Sequence, residues 1–186
     1  QLGQGRVHPN PMVGAVVLDA WGRVVGKGYH AAWGQPHAEA IALTQAGDRA
    51  RGGTLFVNLE PCTHTGKTPP CAHHIVRAGI KTVYFGVPDP NPTVQGGGAY
   101  WLQQHGVTVV GHVLAQACAN LNQAFLYAVQ AQKPFVVLKQ ALSIDGKIAT
   151  RSGESRWITS PVAQQWVHQL RSESDVILST AQTVLT

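Results

Sequence analysis

Apolar positions change their period several times along this chain, and the changes mark its elements. Met12 to Asp19 is an apolar run with a β-branched centre. Ala20-Trp21-Gly22 breaks it and Arg23 to His30 resumes it, so the pair predicts a β-hairpin. Ala31 to Pro36 reads as a loop. From His37 to Ala46 the apolar residues fall into helical spacing, which ends at Gly47. Thr54 to Asn58 predicts a short buried strand, and Leu59 to Pro70 is polar, proline-rich and irregular. Thr68-Pro69-Pro70-Cys71 predicts a helix start, because proline is tolerated at the first helical position. That helix runs to Ala78 and stops at Gly79. Lys81 to Gly86 is the next strand, Pro88 to Gly98 a turn-rich loop, Ala99 to His105 a short helix and Val107 to Val110 a further strand.

Leu114 to Gln132 predicts one long helix with Leu121, Phe125, Leu126 and Val129 as its apolar stripe. Cys118 falls in that stripe, three residues before Leu121, and is expected to be a buried, inert thiol. The character changes after Lys133-Pro134. Phe135 to Leu142 predicts a strongly apolar strand, Asp145-Gly146 a turn, Pro161 to Arg171 an amphipathic helix opened by Ser160, and Val176 to Ser179 a strand. A strand, a helix and a strand cannot bury a complete core by themselves. Residues 133–186 are therefore expected to be the start of a second domain that is cut short or not fully present. The missing initiator Met suggests trimming at the other end as well. No internal repeat or low-complexity tract is present.

Composition narrows the classes. The chain has 186 residues, 44% hydrophobic and 12% charged, which supports a sizeable core and argues against disorder. No apolar run is long enough to span a bilayer and no signal segment opens the chain, so no membrane partner is expected. Three cysteines are an odd number, and metal binding in a reducing cytoplasm explains them better than a disulfide framework. The net charge of +5 is scattered. No dense Lys/Arg block marks a nucleic-acid arm. A phosphorylated small substrate would use a few of these cations, and a solvated surface accounts for most of them.

The chemistry concentrates in His37-Ala38-Glu39, Pro61-Cys62 and Cys71. His37, Cys62 and Cys71 supply three ligands, which suits a catalytic Zn²⁺ that keeps its fourth position for water. Such an ion makes hydroxide available near neutral pH. Glu39, two residues from a ligand, is placed to take the water's proton and pass it to a ring nitrogen. This is the set of parts of a zinc hydrolytic deaminase. His37 and Cys71 each open a helix, and the positive helix ends favour thiolates. A purely structural zinc normally has four protein ligands, and His64, His73 and His74 are near enough in sequence to supply the fourth.

The separation of Cys62 from Cys71 by eight residues departs from the C-x-x-C of nucleobase and nucleic-acid deaminases. The motifs Asn10-Pro11-Met12-Val13-Gly14, Gly28-Tyr29-His30, His37-Ala38-Glu39 and Glu60-Pro61-Cys62-Thr63-His64-Thr65-Gly66-Lys67-Thr68-Pro69-Pro70-Cys71 resemble the bifunctional riboflavin-biosynthesis deaminase–reductase family. Asp89-Pro90-Asn91-Pro92 matches too. So do Leu138-Lys139, Ser143-Ile144-Asp145-Gly146, Ser152-Gly153-Glu154-Ser155 and Trp157-Ile158-Thr159 from the reductase half. The resemblance implies that His37, Cys62 and Cys71 hold Zn²⁺, that Glu39 is the catalytic proton shuttle, and that Asn10, His30, His64 and Lys67 line the substrate pocket. A cation and an imidazole between the cysteines suit a ribose 5′-phosphate, while a solvated loop lysine and a capping histidine remain the plain alternative. Asn10, held between two prolines, suits reading a base edge or an ordinary turn. In the second half the resemblance implies NADPH contacts at Ala141, Trp157 and Thr183, and substrate contacts at Ser155 and Arg171. Taken alone, Trp157 reads as core and Arg171 as a helix-face cation.

The expected fold is α/β: a cytidine-deaminase-like mixed sheet flanked by helices over 1–112, a linker helix over 113–132, then the opening of a dihydrofolate-reductase-like α/β domain over 133–186. The expected activity is zinc-dependent hydrolytic deamination of a diaminohydroxyphosphoribosylaminopyrimidine to the aminouracil. NADPH-dependent ribose reduction would follow in a complete second domain. The expected partner is a phosphorylated pyrimidine, with neither nucleic acid nor membrane, and the expected state is a cytoplasmic homo-oligomer. The rivals are another nucleobase or nucleic-acid deaminase on the same fold and a non-catalytic zinc-stabilised module. The eight-residue insertion and the lack of an aromatic-rich basic groove weigh against the first, and the carboxylate beside His37 weighs against the second.

Overall fold

The computed structural model describes residues 2–63, 69–91 and 97–185. Two compact units divide after Phe135: Gln1–Phe135 and Val136–Thr186.

The first unit is built on a five-stranded mixed sheet. Its strands are β1 (Gly14–Leu18), β2 (Val24–Tyr29), β3 (Thr54–Leu59), β4 (Thr82–Val87) and β5 (Thr108–Val110), in the order β2-β1-β3-β4-β5. β1 runs antiparallel to both β2 and β3, whereas β3, β4 and β5 are parallel. The parallel half needs crossovers, and helices α2 (Cys71–Arg77) and α3 (Gly97–Gln104) provide them. Helix α1 (Ala38–Ala46) joins β2 to β3, followed by a 3₁₀ turn at Gly47–Ala50.

Period-two alternation decides which strand residues enter the core. Ala15, Val17, Leu55, Val57, Val83 and Phe85 are buried, while their neighbours Val16, Phe56 and Tyr84 are less so. The buried set packs with Ala38, Ala42, Leu43 and Ala46 of α1, Ala72 and Ile75 of α2, and Leu102 of α3. On β2, small residues control the approach of α1. A Cβ at Gly26 or Gly28 would collide with the main-chain carbonyls of Ala42 and Ala38. This close approach fixes the start of α1, where His37 and Glu39 lie.

The long helix expected over 114–132 is two helices, α4 (Ala115–Leu121) and α5 (Gln123–Ala131), interrupted at Asn122. Asn122 leaves helical geometry (φ −112°, ψ 23°) and is buried, because its side chain is committed to the main chain of Met12. The predicted stripe of Leu121, Phe125, Leu126 and Val129 is half-buried. Helix α4 lies against β4 and β3. Cys118 is also half-buried rather than fully so, and burial raises its thiol pKa.

In the second unit, α6 (Pro161–Ser172) forms as its sequence predicts. Ser160 caps it by accepting a hydrogen bond from the Ala163 N–H at 3.3 Å, with Pro161 in the first turn. Helix α7 (Ala181–Leu185) follows. The strands expected over 135–142 and 176–179 are not formed among the described residues. A strand needs a neighbouring backbone to take up its N–H and C=O groups, and neither run has a ladder partner here. Val136, Leu138 and Leu178 are accordingly 81%, 81% and 97% exposed.

Candidate metal centre and active site

Three chain segments meet at one point in the first unit. His37 is the N-cap of α1, with extended backbone geometry and no side-chain cap hydrogen bond, so its imidazole is free to serve elsewhere. Cys62 follows the end of β3 through Glu60-Pro61, and Cys71 is the first residue of α2. The Cys71 N–H donates to Cys62 Sγ at 3.4 Å, and the Ala72 N–H donates to the Cys62 carbonyl at 3.1 Å. The start of α2 thereby holds Cys62 by its main chain.

The His37 nitrogen and the two sulfurs all lie within 4.8 Å of one another. His37 Nδ1 is 3.2 Å from Cys71 Sγ and 3.7 Å from Cys62 Sγ. Tetrahedral zinc with ordinary bond lengths needs N···S and S···S separations of about 3.5–3.8 Å. The donor set therefore fits Zn²⁺ in both chemistry and spacing. Cys62 and Cys71 are buried. The hydrogen bond from Cys71 holds the Cys62 thiol down at about 4, against the opposing cost of burial, with His37 adding to the effect. The same bond to Cys62, then burial, pushes Cys71 up. His37 is raised chiefly by its hydrogen bond to Cys62.

Glu39 completes the arrangement. It is 4% exposed, and its Oε2 is buried without a hydrogen-bond partner. Burial raises its pKa. A buried oxygen left unpaired is costly, and beside three metal donors it is the group an incoming water would satisfy. The orphan oxygen is the second observation that fits a catalytic zinc. His73 and His74 do not join the donor cluster. His73 is exposed and stacks on Trp101 at 4.3 Å between ring centroids. Two of the three candidates for a fourth structural ligand are thus placed elsewhere. The third, His64, lies outside the described residues, as does Lys67.

Asn10 and His30 border the centre. His30 is buried and its ring meets that of His37 edge-on at 5.6 Å. His30 Nδ1 is 3.2 Å from the Pro36 carbonyl, which can only accept, so Nδ1 carries the proton. His30 Nε2 then accepts from the Asn10 amide at 3.0 Å. Burial lowers the His30 pKa, consistent with this neutral tautomer.

In the second unit, Ala141, Ser155, Trp157 and Arg171 line one cavity of about 420 Å³, together with Lys139 and His168. Thr183 is not among its lining residues, and its hydroxyl bonds Thr180 Oγ1 at 2.9 Å. Trp157 is 77% exposed, so its reading as core is corrected.

Three polar residues, Glu60 and Asn122 buried and Asn58 half-buried, were not singled out from the sequence. Glu60 accepts from the Asp89 N–H at 3.3 Å and the Ala99 N–H at 2.9 Å. Asn58 and Asn122 both hold the main chain around Met12. The available signal was a polar residue set within or beside an apolar run, since such a residue is buried only with its partners.

Sequence comparison places this geometry in a class. Residues 3–87 match the family described as the cytidine and deoxycytidylate deaminase zinc-binding region. The mixed sheet carrying His37, Glu39, Cys62 and Cys71 is therefore a cytidine-deaminase-like fold with that family's zinc-binding region. Residues 134–186 match the RibD C-terminal domain. The riboflavin biosynthesis protein RibD of Synechocystis sp. is 48% identical over 97% of this chain, and that of Escherichia coli 45% identical over 100%. The crystal structure of a diaminohydroxyphosphoribosylaminopyrimidine deaminase/5-amino-6-(5-phosphoribosylamino)uracil reductase from Thermotoga maritima superposes with a TM-score of 0.92 at 46% identity, covering 100% of this chain and 53% of that one. The chain is a relative of the RibD riboflavin-biosynthesis proteins, and it spans about half their length: 49% of the Synechocystis protein and 50% of the Escherichia coli one.

Proposed function

We propose that the first unit is a zinc-dependent hydrolytic deaminase of riboflavin biosynthesis. It takes the exocyclic amine from a diaminohydroxyphosphoribosylaminopyrimidine and leaves the aminouracil. The observation that carries this reading is the buried, unpartnered Glu39 oxygen beside the His37, Cys62 and Cys71 donors. The likeness to the RibD proteins supports the choice of substrate.

His37, Cys62 and Cys71 would hold the zinc, which when bound acts as a Lewis acid and makes hydroxide available near neutral pH. Glu39 takes a proton from water and delivers it to the pyrimidine ring nitrogen, then takes the proton of the new C–OH group and passes it to the exocyclic amine, which leaves as ammonia. Its burial suits the task, because a raised carboxyl pKa lets one group both accept and return a proton. The first step adds water across the C=N bond of the ring. The second breaks the exocyclic C–N bond and releases ammonia, so no external oxidant or reductant is needed. Asn10 and His30 orient the base, and their mutual hydrogen bond leaves Asn10 Oδ1 uncommitted to His30. His64 and Lys67 bind the ribose phosphate.

The domain assignment belongs to the same proposal: a deaminase over 1–112, a linker over 113–132, and the opening of an NADPH-dependent reductase over 133–186. The reductase contacts would be Ala141, Trp157 and Thr183 for NADPH, and Ser155 and Arg171 for the deaminated product. A cytoplasmic homo-oligomer is also proposed, with its stoichiometry to be read by sedimentation. Among the described residues no helix is long and apolar enough to cross a membrane.

The deciding test is turnover on the pyrimidine phosphate against cytidine, followed by absorbance. Turnover is expected on the former alone, and a preference for cytidine would overturn the substrate. Lys67→Ala is expected to raise KM for the phosphorylated substrate more than for its dephosphorylated form. An equal effect on both would place Lys67 away from the phosphate.

A further inference from the structure

We infer that Asn122 is a positioning residue of the deaminase pocket, setting Asn10 against His30 through the main chain of Met12. The inference rests on the proposal above that Asn10 orients the substrate.

Met12 lies just ahead of β1, whose paired residues begin at Gly14. The peptide groups there are held by side chains. The Met12 N–H donates to Asn122 Oδ1 at 2.8 Å, and Asn122 Nδ2 donates back to the Met12 carbonyl at 3.0 Å. Asn58 Nδ2 donates to that same carbonyl at 2.8 Å, while Asn58 Oδ1 accepts from the Gly14 N–H at 2.8 Å. The His30 N–H donates to the Val13 carbonyl at 2.9 Å. Two carboxamides thus stand in for the missing stretch of β-ladder, and each uses both its donor and its acceptor.

The two amides are not equivalent. The Met12 carbonyl has both as partners, so it keeps one if Asn122 is lost. The Met12 N–H is held by Asn122, and Asn58 gives its acceptor to Gly14 instead. Asn122 therefore secures the side of Met12 that leads back through Pro11 to Asn10. It is 3% exposed at the break between α4 and α5, and no water can readily replace it there. A residue beyond the 3–87 deaminase match thereby holds the peptide two residues from Asn10.

The test uses Asn122→Ala and Asn122→Asp, each alone and combined with Asn10→Ala. Asn122→Asp keeps the acceptor for the Met12 N–H and is the variant to rely on if Asn122→Ala does not fold. Asn122→Ala is expected to raise KM for the pyrimidine phosphate roughly tenfold, in line with one buried peptide group left unpaired. The kcat and zinc content should change little, and Asn122→Asp should fall between wild type and Ala. In the Asn10→Ala background the Asn122 effect should largely disappear. Full additivity, a loss confined to kcat, or loss of zinc would overturn the inference. A readout independent of turnover is the side-chain amide resonance of Asn10. It should shift in Asn122→Ala, and less in Asn122→Asp, while core amides such as Leu55 do not, and an Asn10 resonance unmoved in both would also overturn it. Absence of turnover in wild type, with the resonance still shifted, would reject the proposed substrate and not this coupling.

Discussion

The two units treat the same kind of sequence in opposite ways. Leu55-Phe56-Val57 in the first and Val136-Val137-Leu138 in the second are both short and apolar. The former sits between β1 and β4, with every ladder position occupied, and Leu55 is fully buried. The latter has no ladder and stays 60–81% exposed. Propensity is shared, and what differs is a neighbouring backbone to accept the hydrogen bonds and a second layer to cover the side chains. The sites differ likewise. In the first unit buried thiols, an imidazole and an orphaned carboxylate converge, whereas in the second Ala141, Ser155, Arg171 and an exposed Trp157 line a cavity that Thr183 does not join.

The contrast breaks most sharply at the metal. Cys62→Ser and Cys71→Ser are each expected to lose zinc and all measurable deamination, and chelation of the wild type should do the same. Elemental analysis showing full zinc in both variants would remove the site. Next in size is Glu39→Gln. It should keep zinc and fold but lose at least roughly a thousand-fold in turnover, the scale of general acid–base catalysis. Near-normal turnover would take Glu39 out of the mechanism.

Stability sharpens the comparison at smaller scale. Leu55→Ala leaves a cavity in a filled core and should cost about 2–5 kcal/mol. Leu178→Ala, at 97% exposure, should stay within about 0.5 kcal/mol of wild type. Denaturant midpoints measured on both variants decide this, and equal losses would mean that the second unit hides a core of its own. The smallest expected effect is in the reductase direction. A polypeptide of residues 1–186 given NADPH and the deaminated product should show no steady oxidation, because a nicotinamide site is built at the ends of several neighbouring strands and none is formed among the described residues of the second unit. Steady oxidation at an enzymatic rate would end the contrast between the units.

Much was legible in the sequence because it is local. The hairpin, α1, α2 and α6 follow from turn residues, helical spacing and proline placement, all set within a few neighbours. The convergence of His37, Cys62 and Cys71 was legible because their chemistry is rare: those three with Glu39 beside them have few other uses in that order. Tertiary structure decided what depends on distant partners. It broke the predicted long helix at Asn122, because a buried amide bonded to a peptide 110 residues away outweighs helix continuity. It gave Glu60 its two backbone donors on either side of the loop that follows β4. It also left Val136–Leu138 and Val176–Leu178 without ladders. An apolar run states only that a strand can form. Hydrogen bonds to another part of the chain, which no local pattern encodes, determine whether it does.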